Sequence, residues 1–203
     1  MDLKEHWEKI YNTRQFEETS WYQPKPEHSL EIIRSLGLSP EANIIDIGGG
    51  NSFLADHLLE LGYKNIHVLD ISAKALQDSQ NRLGEKADKI NWIESDITNF
   101  KPDISFDLWH DRAALHFLTE DKPVEDYLSV LKNSLKKCAY CLLSVFSENG
   151  PVKCSGITIR KYATSALEEL LELDFETVRL ENRDHTTPWG AKQNFSTGLF
   201  RRK

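Results

Sequence analysis

Apolar positions along this chain follow two periods in turn, and the switches between them mark out its elements. Over 3–12, Leu3, Trp7, Ile10 and Tyr11 share one side of a short amphipathic helix. Residues 13–26 lose that period and hold Trp21, Tyr22, Pro24 and Pro26. A second helix over 27–37 is closed by Gly37. Strand-length apolar runs then alternate with helical segments. A strand over 42–47 enters a glycine turn, and a helix over 51–61 stops at Gly62. Another strand, 65–69, precedes Ser72, a good N-cap, and the helix 73–83 ends at Gly84. Residues 90–93 and 106–109 supply two more strands. Pro123 sits in the first turn of a helix over 123–136, where a missing N–H costs nothing. The long run 139–146 has the apolar density of a buried central strand. A helix over 164–172 is capped by Thr164 or Ser165. The last two runs, 176–180 and 195–201, have only a turn-rich segment between them and read as an antiparallel hairpin.

Strand-helix alternation closed by a hairpin predicts an α/β fold. The expectation is a doubly wound, Rossmann-like sheet of seven strands, mostly parallel, with right-handed crossovers and a C-terminal antiparallel hairpin. Ligands in such sheets bind outside the carboxyl ends of the strands. That rule selects the residues after each strand. After the first come Gly48, Gly49 and Gly50, which let backbone approach a ligand with no Cβ in the way. Asp70 lies twenty residues past Gly50, at the tip of the second strand, where an acid can accept from both hydroxyls of a ribose. The glycine pattern departs from a dinucleotide fingerprint, because its third glycine position is Phe53. Asp46, just before the glycines, would repel a pyrophosphate and suits a cationic ligand. Both features disfavour a nicotinamide dehydrogenase.

Asp46, Gly48 and Gly50 resemble motif I of the class I S-adenosylmethionine-dependent methyltransferases, whose ligand carries an ammonium, a sulfonium and a ribose but no phosphate. The resemblance extends to Glu94-Ser95-Asp96-Ile97 after the third strand. It implies that Asp96 accepts from the adenine amine, that Ile97 supplies an amide and an apolar wall, and that Ile71 presses on the other adenine face. After the fourth strand, Trp109-His110-Asp111-Arg112-Ala113 resembles the W-D-R-G element of thiopurine-type methyltransferases, with His110 inserted and Ala113 replacing glycine. It is also similar to the D-K-G element of seven-strand protein-lysine methyltransferases. The resemblance implies S-adenosyl-L-methionine as cofactor and direct methyl transfer as reaction. Trp109 or His110 would then face the methionine moiety. Asp111 and Arg112, expected on the substrate side, would form a local ion pair that either shapes the pocket or serves structure alone.

The division that follows is a single domain, 1–203. It has an N-terminal lid segment over 1–26, a cofactor-binding core over 27–147 and a substrate-side portion over 148–203. Trp21 and Tyr22 in the lid either cover the sulfonium, where cation–π attraction is worth about 0.5–2 kcal/mol, or anchor the N-terminal helix. Between the last two strands, 185–195 reads as a loop dense in polar and aromatic groups, with His185, Trp189 and Gln193 as substrate-side candidates. An acceptor that starts protonated needs a base, and His110, His116 and His185 are the candidates. His116, on an apolar face, equally suits a packed core histidine. The expected acceptor is a small molecule. A protein lysine is the second reading, and a non-catalytic cofactor-binding module a third.

Composition narrows the partners. A net charge of −7 argues against a broad nucleic-acid surface, and Arg201-Arg202-Lys203 reads as a frayed tail. No apolar run approaches the ~20 residues of a membrane span, and the first residues lack a secretory pattern, so a cytoplasmic location is expected. The chain is expected to work as a monomer or homodimer. Cys138 and Cys141 fall on or just before a strand, three apart and so on opposite faces, which suits neither redox nor metal work. Cys154 is a free thiol in a loop that could border the site. The histidines and cysteines contain no close ligand pair, and no metal is expected.

Overall fold

The computed structural model describes residues 2–203. Asp2 caps the first helix, α1 (Leu3–Thr13), by accepting from the amides of Lys4 and Glu5. After α2 (Glu27–Ser35), strands and helices alternate: β1 (Asn43–Ile47), α3 (Leu54–Glu60), β2 (Asn65–Asp70), α4 (Ala73–Leu83), β3 (Ile90–Glu94), β4 (Phe106–Arg112), α5 (Asp121–Ser134) and β5 (Leu135–Phe146). A short ribbon, β6 (Lys153–Cys154) and β7 (Ile157–Thr158), precedes α6 (Thr164–Leu171) and the closing strands β8 (Phe175–Thr186) and β9 (Lys192–Arg202).

The main sheet has seven strands in the order β3-β2-β1-β4-β5-β9-β8. The first five are parallel neighbours, and β9 runs antiparallel to both β5 and β8. Each strand feeds alternate side chains to two layers. On one face Ile45, Ile47, Trp109, Leu143 and Val145 pack against α5 and α6 through Tyr127, Leu131 and Leu167. On the other, Ile44, Val68, Leu108 and Leu142 meet α2, α3 and α4 through Leu30, Ile33, Leu58 and Leu76. Among the described residues, no helix is long and apolar enough to cross a membrane.

The strands run longer than the apolar pattern indicates. β4 continues through Arg112, so Asp111 and Arg112 are strand residues and not part of the following turn. β8 and β9 extend to Thr186 and from Lys192, so most of the expected 185–195 loop is sheet. The reason is position: β8 is the sheet edge and exposes most of its residues, so pairing with β9 holds it and no apolar alternation marks it. Arg201 and Arg202 likewise belong to β9 and are not a loose tail.

Candidate functional site

The strand order turns back at β1, with β2 on one side and β4 on the other. Above this point a cleft of about 120 Å³ opens along the carboxyl ends of the strands. Gly48, Asp70, Ile71, Ser95, Asp96 and Ile97 line one end. Arg112, Phe117, Phe146, Cys154, Gln193 and Phe195 line the other. Leu3, Trp7, Tyr11 and Trp21 face the same cleft from the N-terminal segment.

The glycine turn has no room for side chains. Gly48 has a φ of +63°, and a Cβ on it would lie 2.9 Å from the Ala114 Cβ. Gly50, at +41°, would put one 2.8 Å from both the Asp70 carboxylate and the Tyr11 hydroxyl. Gly49 lines a smaller cleft beside Asp46. Phe53, where a third glycine would stand in a dinucleotide site, fills its place with packing: the Arg82 guanidinium lies 4.3 Å above its ring.

Asp70 is buried and accepts from the Ser72 amide at 2.9 Å. Burial, with the Asp46 charge adding to it, raises its carboxyl to about 7. The Gly50 amide also donates to this carboxylate, which borders the cleft where a ligand diol would approach it. Asp96 accepts from both the amide and the hydroxyl of Thr98, which fixes its carboxylate at the cleft wall.

Strand register explains the next cluster. Asp46 of β1 stands opposite His110 of β4 on the α2 face. His110 Nδ1 pairs with Asp46 Oδ1 at 2.6 Å, and its Nε2 meets the Ser29 hydroxyl of α2 at 2.8 Å. Both histidine nitrogens are thereby engaged, and His110 borders only the smaller Asp46 cleft.

Neighbours on β4 point to opposite faces, so the expected Asp111–Arg112 ion pair does not form. Asp111 is fully buried toward α5 and accepts from the Ala114 and Leu115 amides and the Tyr127 hydroxyl. Burial lifts its carboxyl to about 6 against the pull of those donors. Trp109 is on that face too. It is 0% exposed and donates to the Tyr127 hydroxyl at 3.0 Å, so it belongs to the core and faces away from the cleft. Arg112 turns the other way into the cleft, where its Nη1 donates to the Trp21 carbonyl at 3.2 Å. Ala113 takes a φ of 76°, a left-handed conformation that favours the glycine of the resembling motif.

Two other candidate bases are held by packing. His116 is 0% exposed and stacks on Phe146 at 4.6 Å and 8°. Its Nδ1 accepts from the Phe146 amide, and burial beside Arg112 drives its pKa down to about 3. His185 donates from Nε2 to the Ser20 carbonyl at 2.7 Å and meets the Gln23 side chain through Nδ1. Burial lowers its pKa, Arg112 adding to the effect. It borders a separate polar cleft with Ser29, Ser144 and Thr197. Trp189 sits at the hairpin tip, 60% exposed and outside the cleft, because the lengthened strands carry it away. Tyr22 packs on Phe16 and Phe53, while Trp21 lines the cleft. Among the described residues, no three of His, Cys, Asp and Glu gather as metal ligands would.

α1 lies within the segment 1–26 expected as a lid, though no side chain of the helix was singled out for the site. Leu3, Trp7 and Tyr11, four residues apart, form its cleft-facing stripe. Trp7 packs edge-on against Trp21 at 5.6 Å and Phe117 at 5.0 Å. Glu8 accepts from the Ala73 amide at 2.6 Å, tying the helix to the start of α4. The apolar stripe was visible in the sequence; the surface it covers was not.

Known proteins match this arrangement at several levels. A methyltransferase-domain family model matches residues 44–137. The mouse protein described as an eEF1A lysine and N-terminal methyltransferase is 27% identical over 119 residues. That stretch is 58% of this chain and 17% of the mouse protein, so the chain corresponds to a small part of that relative. A structure solved in work on the conversion of a disulfide bond into a thioacetal group during echinomycin biosynthesis superposes with a TM-score of 0.79 at 18% identity, covering 99% of this chain and 93% of the other. The Burkholderia thailandensis 1,6-didemethyltoxoflavin-N1-methyltransferase, with its substrate and S-adenosylhomocysteine bound, superposes with a TM-score of 0.71 at 17% identity, covering 98% and 84%. At such identities the structural likeness speaks for the fold.

Proposed function

We propose that the chain is a class I S-adenosylmethionine-dependent methyltransferase, as the methyltransferase-domain match over residues 44–137 supports, and that it methylates a small-molecule nucleophile held in the aromatic end of its cleft. The residues present suit the cofactor. Gly48 and Gly50, at positive φ, pack too closely on Ala114, Asp70 and Tyr11 to carry a Cβ, which brings the bare backbone of the turn to the cleft, and the Asp70 carboxylate borders that cleft. When bound, S-adenosylmethionine supplies a methyl group already activated by its sulfonium charge. The chain's part is to align and enclose.

In this reading Asp70 accepts from the ribose hydroxyls, and Asp96 with Ile97 and Ile71 frames the adenine. Asp46, oriented by His110, faces the ammonium. Gly49 gives the backbone close passage beside Asp46, where a Cβ would fall 2.6 Å from its carboxylate. Trp21, with Trp7 and Tyr11, shields the methyl from water. None of the three histidines is free to act as base, so the acceptor arrives with a lone pair available.

The observation that carries the small-molecule reading is the roof. α1 and Trp21 partly cover the cleft that Phe117, Phe146 and Phe195 also line, leaving a half-open apolar chamber where a protein substrate would need a groove. The mouse relative's printed activity on lysine keeps a protein acceptor as the second reading. Against it, the acceptor end holds the Arg112 cation and no carboxylate to receive an ammonium. The test is transfer from methyl-labelled cofactor into cell extract separated by size. Label is expected in the low-molecular-weight fraction; label confined to macromolecules rejects the reading.

A further inference from the structure

Arg112 borders three clefts at once: the aromatic chamber, the Asp46 cleft and the polar cleft near His185. The chain gives this cation few partners. Its Nη1 reaches the Trp21 carbonyl, and its face lies 5.2 Å from the Phe195 ring. Nη2 is buried with no acceptor, and no ion pair among the described residues includes Arg112. A buried guanidinium N–H without an acceptor is costly and is kept where something else completes it. The fork geometry of guanidinium matches a carboxylate better than any other common group. Nη2 is covered while the side chain as a whole reaches the clefts, so a rotation of the guanidinium suffices to present it.

Location tells which carboxylate. Asp70 and Asp96 lie at the tips of β2 and β3, on one side of β1. Arg112 lies at the end of β4, in register with Ser144 of β5, on the other side. Phe195 and Gln193 of β9 continue the same wall. Resting on the methyltransferase reading, we propose that the methyl acceptor is a small organic acid whose carboxylate is bound by Arg112, its body lying in the aromatic chamber. The polar cleft behind Arg112, lined by Ser29, Ser144 and Thr197, gives the carboxylate a wet side, while Phe117, Phe146 and Phe195 take the apolar side.

Calorimetry on protein loaded with S-adenosylhomocysteine tests this. The probes are phenylacetate, indole-3-acetate and 4-hydroxybenzoate, each against its neutral amide. Acids are expected to bind at least tenfold tighter than amides. Arg112→Gln should abolish that preference and Arg112→Lys should keep part of it, while both hold S-adenosylhomocysteine within twofold of the parent. Acids no better than amides across the panel overturn the proposal, whatever the variants do. So does an Arg112→Gln protein that loses S-adenosylhomocysteine tenfold but binds 5′-methylthioadenosine normally, because that assigns the guanidinium to the carboxylate of the cofactor. Failure of the parent protein to bind S-adenosylhomocysteine would instead remove the methyltransferase reading on which the proposal stands.

Discussion

At the scale of single residues, one carboxyl connects burial to binding. The Asp70 carboxyl is raised from 3.8 to about 7. In the unfolded chain it has lost its proton by about pH 5, while the folded protein keeps it until about pH 7. Between those limits the native state binds more protons, so the contribution of Asp70 to stability falls as pH rises. An Asp70→Asn protein should lack this contribution, and the difference between its melting curve and the parent's should grow from pH 4 to pH 7. A ribose would donate to the ionised form, so affinity for S-adenosylhomocysteine should increase as pH rises through 7. Asp70→Ala removes charge-assisted hydrogen bonds of about 1.5–3 kcal/mol each and should weaken that affinity at least tenfold. An unchanged affinity would reject the ribose role. Trp109 gives the opposite prediction. Its indole belongs to the core, so Trp109→Phe should cost about 1–2 kcal/mol of stability through the lost bond to Tyr127 and leave S-adenosylhomocysteine affinity unchanged. Adjacent positions on β4 thus serve different ends. The W-H-D-R run in the sequence shows the residues but not their faces, because the period of two has no phase until Leu108 and Trp109 are assigned to layers.

Among the elements, α1 combines weak attachment with a demanding position. It covers the cleft with Leu3, Trp7 and Tyr11, and Ile10 is its one buried residue. It is tied down by Glu8 on the α4 amides, Lys4 on Glu94 and His6 against the Ser155 carbonyl. An element held by the packing of Trp7 and Ile10 and a few polar contacts opens more readily than the sheet beneath it. Glu8→Ala should therefore speed dissociation of S-adenosylhomocysteine several-fold, measured by stopped flow, while moving the melting temperature by only a few degrees. An unchanged off-rate would mean that ligand leaves without displacing α1. The C-terminal hairpin is the contrasting element. Its strands were expected over 176–180 and 195–201, yet span Phe175–Thr186 and Lys192–Arg202. Pairing with β9 specifies an edge strand such as β8, and that information lies elsewhere in the chain.

For the whole molecule, β9 is structural before it is functional. It pairs with β5 from Tyr140 to Phe146 and with β8 along its full length. Phe195, Leu199 and Phe200 are buried. A chain ending at residue 174 would leave the central strand β5 with an open edge and uncovered apolar surface, so it should be insoluble or molten, as judged by near-ultraviolet circular dichroism. Recovery of a native spectrum from that truncation would show the parallel core to be self-sufficient.

The order of strands and helices, the glycine turn and the acids at the tips of β2 and β3 were all set by local sequence. Burial periods, caps and the steric demands of Gly48 and Gly50 act over a few residues and leave a mark that can be read directly. The tertiary structure decided the rest. It sent Trp109 and Asp111 into one layer and His110 and Arg112 into the other. It engaged His110 with Asp46, carried Trp189 away from the cleft and brought α1 over it. Those outcomes depend on strand phase, on register between distant segments and on which apolar faces find each other, and none of these is fixed until the whole chain has packed.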